Sequence, residues 1–188
     1  MKRFILFIVS ALFAIGIGHA QNGTQYQLTP NGLINGTDKD YIVIEADSSL
    51  SQKDLFERTQ TYLASKFVSP QDVISAFNEN TITINWVSHI FYKVPIGKME
   101  AVVNYTTTFL FKDGRVRINN PSINSITCLD GKNSPMKLIE EFYTIGIFTS
   151  KGKDRRPEVK TAIEGNINSF LSDYVGFITS KQDVDEDW

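Results

Sequence analysis

Histidine and cysteine are almost missing from this chain: 188 residues hold two histidines and one cysteine. His19 falls in an apolar N-terminal segment, so His89 is the one histidine left for chemistry beyond it. A metal centre with two histidines from the rest of the chain is excluded, and with it the common zinc sites. Cys128 has no second cysteine to pair with, so no disulfide closes within the chain and stability must come from packing. Cys128 reads as a small buried hydrophobe, and a Cys128–His89 dyad would lack a nearby group to orient it. The chain has no G-x-S-x-G elbow, no H-E-x-x-H pair and no phosphate-binding glycine loop. Asp183, Asp185 and Asp187 have the spacing of the first calcium-loop ligands, but Trp188 stands where that loop needs glycine. No cofactor and no metal are expected.

Long apolar runs are absent too, except at the N-terminus. Lys2 and Arg3, the apolar run from Phe4 to Ile17 and the small residues of Gly18-His19-Ala20 read as a signal peptide cleaved between Ala20 and Gln21. The run falls short of the ~20 apolar residues of a membrane span. The expected location is therefore the periplasm or the medium, with no transmembrane anchor after cleavage. Losing the leader takes 20 of the 188 residues and lowers the basic count from 19 to 17, against 21 acidic residues. A mildly acidic surface is a poor match for nucleic acid, whose binding rests on a basic face that releases counterions.

Three segments follow the leader. Residues 21–39, with Asn-Gly pairs at Asn22, Asn31 and Asn35, read as a lead-in; 40–180 as one α+β domain; and 181–188 as an acidic tail. Tyr41 to Ala46 is β-branched and short, a buried strand. Ser51 and Asp54 supply the cap of a helix whose stripe is Leu55, Phe56, Tyr62, Leu63 and Phe67, ended by Ser69-Pro70. Val73 to Phe77 reads as a strand. Ile82, Ile84, Trp86, Ser88, Ile90 and Tyr92 alternate with polar neighbours, and Met99, Ala101, Val103, Tyr105, Phe109 and Phe111 do the same. Ser125 to Cys128 is a further strand, Pro135 to Tyr143 shows helical spacing at Leu138, Ile139 and Phe142, and Lys151 to Arg156 is a solvated basic loop. Pro157 opens the longest helix, whose face is Val159, Ile163, Ile167, Phe170, Leu171, Tyr174 and Ile178.

The expected fold is thus α+β: a single antiparallel sheet of about five strands, with a helix after the first strand and a long C-terminal helix packed on one face, in the order β-α-β4-α. Asp113-Gly114 predicts a two-residue hairpin loop at positive backbone angles, pairing Phe111 with Val116 and Phe109 with Ile118. Arg115 and Arg117 then face outward. The primary reading is a wet face that protects the sheet; the alternative is a small anion contact. Tyr105, Phe109, Phe111, Phe170 and Tyr174 meet between sheet and closing helix, where the primary reading is a filled core and the alternative an apolar ligand pocket.

The stretch "YQLTPNGLINGTDKDYIVIEADSSLSQKDLFERTQTYLASKFVSPQDVISAFNENTITINW", followed by "VVNYTTTFLFKDGRVRINN", resembles the secreted domain-of-unknown-function family with a TBP-like fold found in Gram-negative gut anaerobes. The Asp-Tyr-Ile-Val strand, the Leu-Phe helix start, the Ser-Pro-Gln-Asp-Val-Ile joint, the "TITI" strand and the "KDGRVR" hairpin carry the resemblance, over roughly residues 26 to 120. It implies a TBP-like fold and export, and transfers no catalytic residue. The fold's name comes from a DNA-binding protein, but shape does not carry function, and the acidic charge argues against that role.

Two functions remain. The first is an exported, non-enzymatic binding or interaction domain whose partner is a protein or a small apolar ligand. The second is a hydrolase of cell-wall or glycan material, with carboxylates brought together by the fold.

Overall fold

A computed structural model of the chain describes residues 25–95 and 97–180. The expected signal peptide of residues 1–20 and the acidic tail of 181–188 lie outside the described residues. Ten strands and three helices follow one another: β1 (Gln27–Thr29), β2 (Gly32–Ile34), β3 (Tyr41–Glu45), α1 (Gln52–Lys66), α2 (Pro70–Val73), β4 (Ile74–Asn78), β5 (Thr81–Val94), β6 (Gly97–Lys112), β7 (Arg115–Asn119), β8 (Ser122–Cys128), β9 (Ser134–Ile139), β10 (Ile145–Phe148) and α3 (Pro157–Thr179).

The spine is β6, a 16-residue strand that alternates strictly between buried and partly exposed positions from Ala101 to Phe111. On one edge β5 pairs with it along its whole length, from Thr81 opposite Leu110 to Val94 opposite Gly97. The other edge takes two strands in succession: β8 beside Ala101 to Thr106, then β7 beside Phe109 to Lys112. The sheet therefore forks, one branch continuing from β7 to β3 and the other from β8 through β9 to β10.

The sheet has eight strands, with β9 and β10 parallel, rather than about five antiparallel ones. Two causes explain the difference. Pro135 to Tyr143 is not helical: Met136 and Leu138 turn inward and Lys137 and Ile139 outward, so its first part is β9. The spacing of Leu138, Ile139 and Phe142 mimics a helix only because Phe142 lies beyond the strand and is exposed. The second cause is β10, four residues with too little sequence to show a period. A glycine is required in β10, since a Cβ on Gly146 would lie 2.2 Å from the Glu140 backbone nitrogen.

Helices α1 and α3 cover one face. Leu55, Tyr62 and Leu63 of α1 and Val159, Ile163, Ile167, Phe170, Leu171, Tyr174 and Ile178 of α3 are buried against Ile82, Ile84, Trp86, Val103, Tyr105, Phe109 and Phe111 of the sheet. The closing stripe read from the sequence is the stripe that packs. Thr107 also faces this core, accepting a hydrogen bond from Trp86 Nε1 at 3.1 Å.

Residues ahead of β3 join the same core. Tyr26, Leu28 and Leu33 are buried, on a β1–β2 hairpin separate from the large sheet. Among the described residues β1 pairs with no strand but β2, and its outer edge is met by side chains of α3. Tyr26 N–H donates to Asn168 Oδ1 at 2.7 Å, Leu28 N–H to Glu164 Oε1 at 2.8 Å, and Asn168 Nδ2 donates back to Tyr26 O at 3.0 Å.

At the other end the β6–β7 hairpin has the expected register, Phe111 opposite Val116 and Phe109 opposite Ile118. Of its two loop residues only Gly114 takes a positive φ, 69°, so the expectation that Asp113 does so as well is corrected. Asp113 is placed by another demand: its Oδ1 accepts from Gln52 N–H at 2.7 Å, at the start of α1.

Candidate functional site

The five core aromatics pack on rings. Trp86 lies stacked between Tyr105, with centroids 4.5 Å apart, and Phe170, at 4.7 Å. Phe109 meets Tyr174 at 4.9 Å and Phe111 meets Phe56 at 5.5 Å. All five are buried, and the Trp86 ring lies between Tyr105 and Phe170. Tyr174 hydroxyl shares a 2.8 Å hydrogen bond with Thr59. The Tyr105 hydroxyl is buried without a partner among the described residues, and burial pushes its phenol well above the usual range.

Arg115 and Arg117 do face outward, side by side on β7. Arg115 stands opposite Lys112 on β6 and Glu45 on β3. Arg117 lies on the Tyr41 ring, 3.9 Å from its centroid, and its Nε donates to Asn119 Oδ1 at 3.0 Å. Stacking and that bond engage one face and the Nε–H of the guanidinium.

His89 and Cys128 lie on opposite faces of the sheet. His89 is exposed and meets Glu100 through Nδ1, whereas Cys128 is buried and receives the Tyr92 hydroxyl at 3.5 Å. No dyad forms. On the uncovered face His89 is flanked by exposed Val87 and Phe91, and farther along that face polar side chains pair with one another: Thr83 bonds Thr108 at 3.1 Å, Asn124 donates to Thr106 at 2.8 Å, and Asn104 donates to Ser125 at 2.7 Å. Among the described residues no group of three or more metal-ligating side chains comes together, and no helix is long and apolar enough to cross a membrane.

A different place has unspent polar capacity. Glu140 to Ile145, between β9 and β10, and Arg155 and Arg156, before α3, enclose a recess of about 350 Å³. Thr144 Oγ1 and Arg156 Nε are out of reach of solvent there and have no hydrogen-bond partner among the described residues. Buried polar atoms are nearly always paired, and leaving one unpaired costs about 1–3 kcal/mol. The two carboxylates of the recess are taken: Glu140 by Arg155 and Glu141 by Lys137. Arg156 makes no ion pair among the described residues. It is the N-cap residue of the 23-residue α3, and no side chain caps that helix. The positive end of the helix dipole therefore opens toward the same place. Beside it Phe142 and Tyr143 are 88% and 93% exposed, edge to face at 4.7 Å. A larger depression of about 620 Å³ between β1 and α3 contains Glu164 and Asn168, but both already hold the β1 backbone.

None of the recess residues was a candidate from the sequence, where Glu140 to Tyr143 fell in an expected helix, Arg155 and Arg156 in a solvated loop, and Thr144 and Ile145 between the two. Two signals were present: adjacent aromatics at Phe142-Tyr143, and a long helix opened by Arg155-Arg156-Pro157 with none of the usual capping residues.

Two solved structures share this architecture. A TBP-like protein from Parabacteroides distasonis is 13% identical with a TM-score of 0.54, the match covering 76% of this chain and 92% of that one. A DUF4468 family protein from Bacteroides ovatus is 15% identical with a TM-score of 0.50, covering 77% of this chain and 86% of that one. At such identity the likeness establishes the fold alone: the chain has a TBP-like α+β fold. No protein-family model matches the sequence, and no curated protein does.

Proposed function

We propose that the chain is an exported, non-enzymatic binding domain of the domain-of-unknown-function family with the TBP-like fold, and that it works through the recess before α3. Export is supported by the leader-like residues 1–20. The observation that carries the binding reading is the coincidence of two almost fully exposed rings, Phe142 and Tyr143, with an unpaired guanidinium and an unpaired hydroxyl in one recess. Exposed aromatics beside unsatisfied polar groups are what a binding surface offers before its ligand arrives.

The hydrolase reading has one observation in its favour, since Glu140 and Glu141 line the same recess. Each is held by a cation, which suits structure better than proton transfer. Native mass spectrometry of protein purified from its own cell envelope tests both. Expected is a start at Gln21 and an added mass that disappears in the Phe142→Ala/Tyr143→Ala double variant. A bare mass, together with glycan or cell-wall turnover that falls in Glu140→Gln or Glu141→Gln, would replace the binding domain by the hydrolase.

A further inference from the structure

We infer that the recess is a site for a monocarboxylate whose acid group meets Arg156 and whose ring-shaped body lies against Phe142 and Tyr143; the inference rests on the binding-domain reading. Charge selects the class. Arg155 and Arg156 line the recess with Glu140 and Glu141; Arg155 is spent on Glu140, and Glu141 on Lys137 of β9, which leaves Arg156 without an ion pair among the described residues. With Glu158 already in the first turn of α3, that single guanidinium suits a monoanion. A phosphate dianion would bring excess negative charge beside two fixed carboxylates. Geometry agrees with charge. A guanidinium takes a carboxylate side-on through two nitrogens, and the two terminal nitrogens of Arg156, which hold no partner among the described residues, are the ones left to take it. The uncapped start of α3 adds a field of the same sign. The edge-to-face arrangement of Phe142 and Tyr143 leaves ring surface exposed at the rim for an apolar or ring-shaped body.

The test is a calorimetric or NMR titration of the full chain with sodium benzoate, sodium glucuronate, sodium phosphate and glucose at equal ionic strength. Saturable binding of benzoate alone identifies an aromatic acid, of glucuronate alone an acidic sugar, and of both a site that reads the carboxylate first. Arg156→Gln should weaken that binding about tenfold or more, as loss of a charged hydrogen bond does. The Phe142→Ala/Tyr143→Ala variant, altered only at exposed positions, should weaken it several-fold with unchanged melting, which covers the case in which Arg156→Gln fails to fold. No saturable carboxylate binding, equal binding of phosphate or glucose, or full affinity in either variant overturns the inference. If carboxylates fail while the native added mass persists and depends on Phe142 and Tyr143, the inference falls and the binding domain stands.

Discussion

At the start of α1 the helix amides meet oxygens from two directions, and at the start of α3 they meet no side-chain oxygen at all. Ser51 Oγ accepts from Asp54 N–H at 3.2 Å, Asp54 Oδ2 accepts from Ser51 N–H at 2.8 Å, and Asp113 reaches over from the β6–β7 hairpin to Gln52 N–H. That end of the molecule is closed: Gly114 N–H donates to Leu50 O and Ala46 N–H to Gly114 O, so the hairpin tip, β3 and α1 are locked together. At α3 an arginine occupies the N-cap position and the adjoining β9–β10 segment ends in exposed rings. A helix of 23 residues packed along seven buried positions tolerates an uncapped start, because packing outweighs a cap worth about 1 kcal/mol. The protein can spare polar groups for a ligand at the end held by packing rather than by caps.

The strongest test of that division is whether the region between the two ends is as full as its rings suggest. Phe170→Ala removes a side chain stacked on Trp86 and edge-on to Tyr62, and in a filled core it should cost ~3–5 kcal/mol in urea melts. A markedly smaller loss, accompanied by saturable dye binding in the parent protein that the variant lacks, would mean a pocket already exists under α3. The comparison would then be between two sites.

Next in size is the closed end. A side chain at Gly114 must adopt φ 69°, and its Cβ would come 3.2 Å from Ser48 Cα, a backbone atom that cannot swing away. Gly114→Val should cost about 1–3 kcal/mol. Arg115→Ser with Arg117→Ser should cost less, about 1 kcal/mol at most, for lost stacking on Tyr41 and exposed charge. Equal or reversed losses in urea would show that the arginines, not the turn, close this end.

Much of this end was legible in the sequence. Alternation over β5 and β6 is long enough to fix both strands, Asp113-Gly114 fixes their partner's register, and Ser51 with Asp54 marks the start of α1. The β9–β10 branch was not, for physical reasons. Its strands have six and four residues, too few for a period, and β10 joins β9 in parallel, a pairing that no hairpin signal announces. The recess was hidden for the same reason: Arg156 and Thr144 are ordinary residues until Ile147 O accepts from both Arg155 and Arg156 amides and draws the two segments together. Tyr26, Leu28 and Leu33 also gave too short a pattern, since their hydrogen-bond partners are helix side chains.

Acid should separate the two ends without any mutation. Hydrogen bonds from the Ser51 hydroxyl and then the Ser51 amide hold the Asp54 carboxyl below its ordinary range. A depressed folded-state pKa means that its contribution is complete above the unfolded value of about 4 and is lost as pH falls through the folded one. Amide exchange below pH 4 should therefore rise first in the opening turn of α1. Asp54→Ala should remove that pH dependence. The first turn of α3 holds Glu158 but no side-chain cap and should respond less; an equal response that survives Glu158→Gln would mean that another carboxylate caps its start.

The smallest effect is the sharpest for the open end. Arg156→Asp places an acceptor at the N-cap, where α3 has no side-chain cap, and adds a negative charge to that of Glu158 in the first turn, a change that favours a helix start by about 0.5–1 kcal/mol. It also removes a guanidinium whose Nε–H is buried without an acceptor, and so relieves a cost already present. Against this stands the packing of the arginine stem, which is half-buried. The net expectation in urea melts is a gain of about 0.5 kcal/mol, with carboxylate binding abolished. Stability and binding would then move in opposite directions at one residue, as they do where a site is kept open at the expense of the fold. A loss above about 1 kcal/mol would mean that Arg156 is held by the protein itself. The start of α3 would then be as closed as that of α1, and the recess would have no charge to offer.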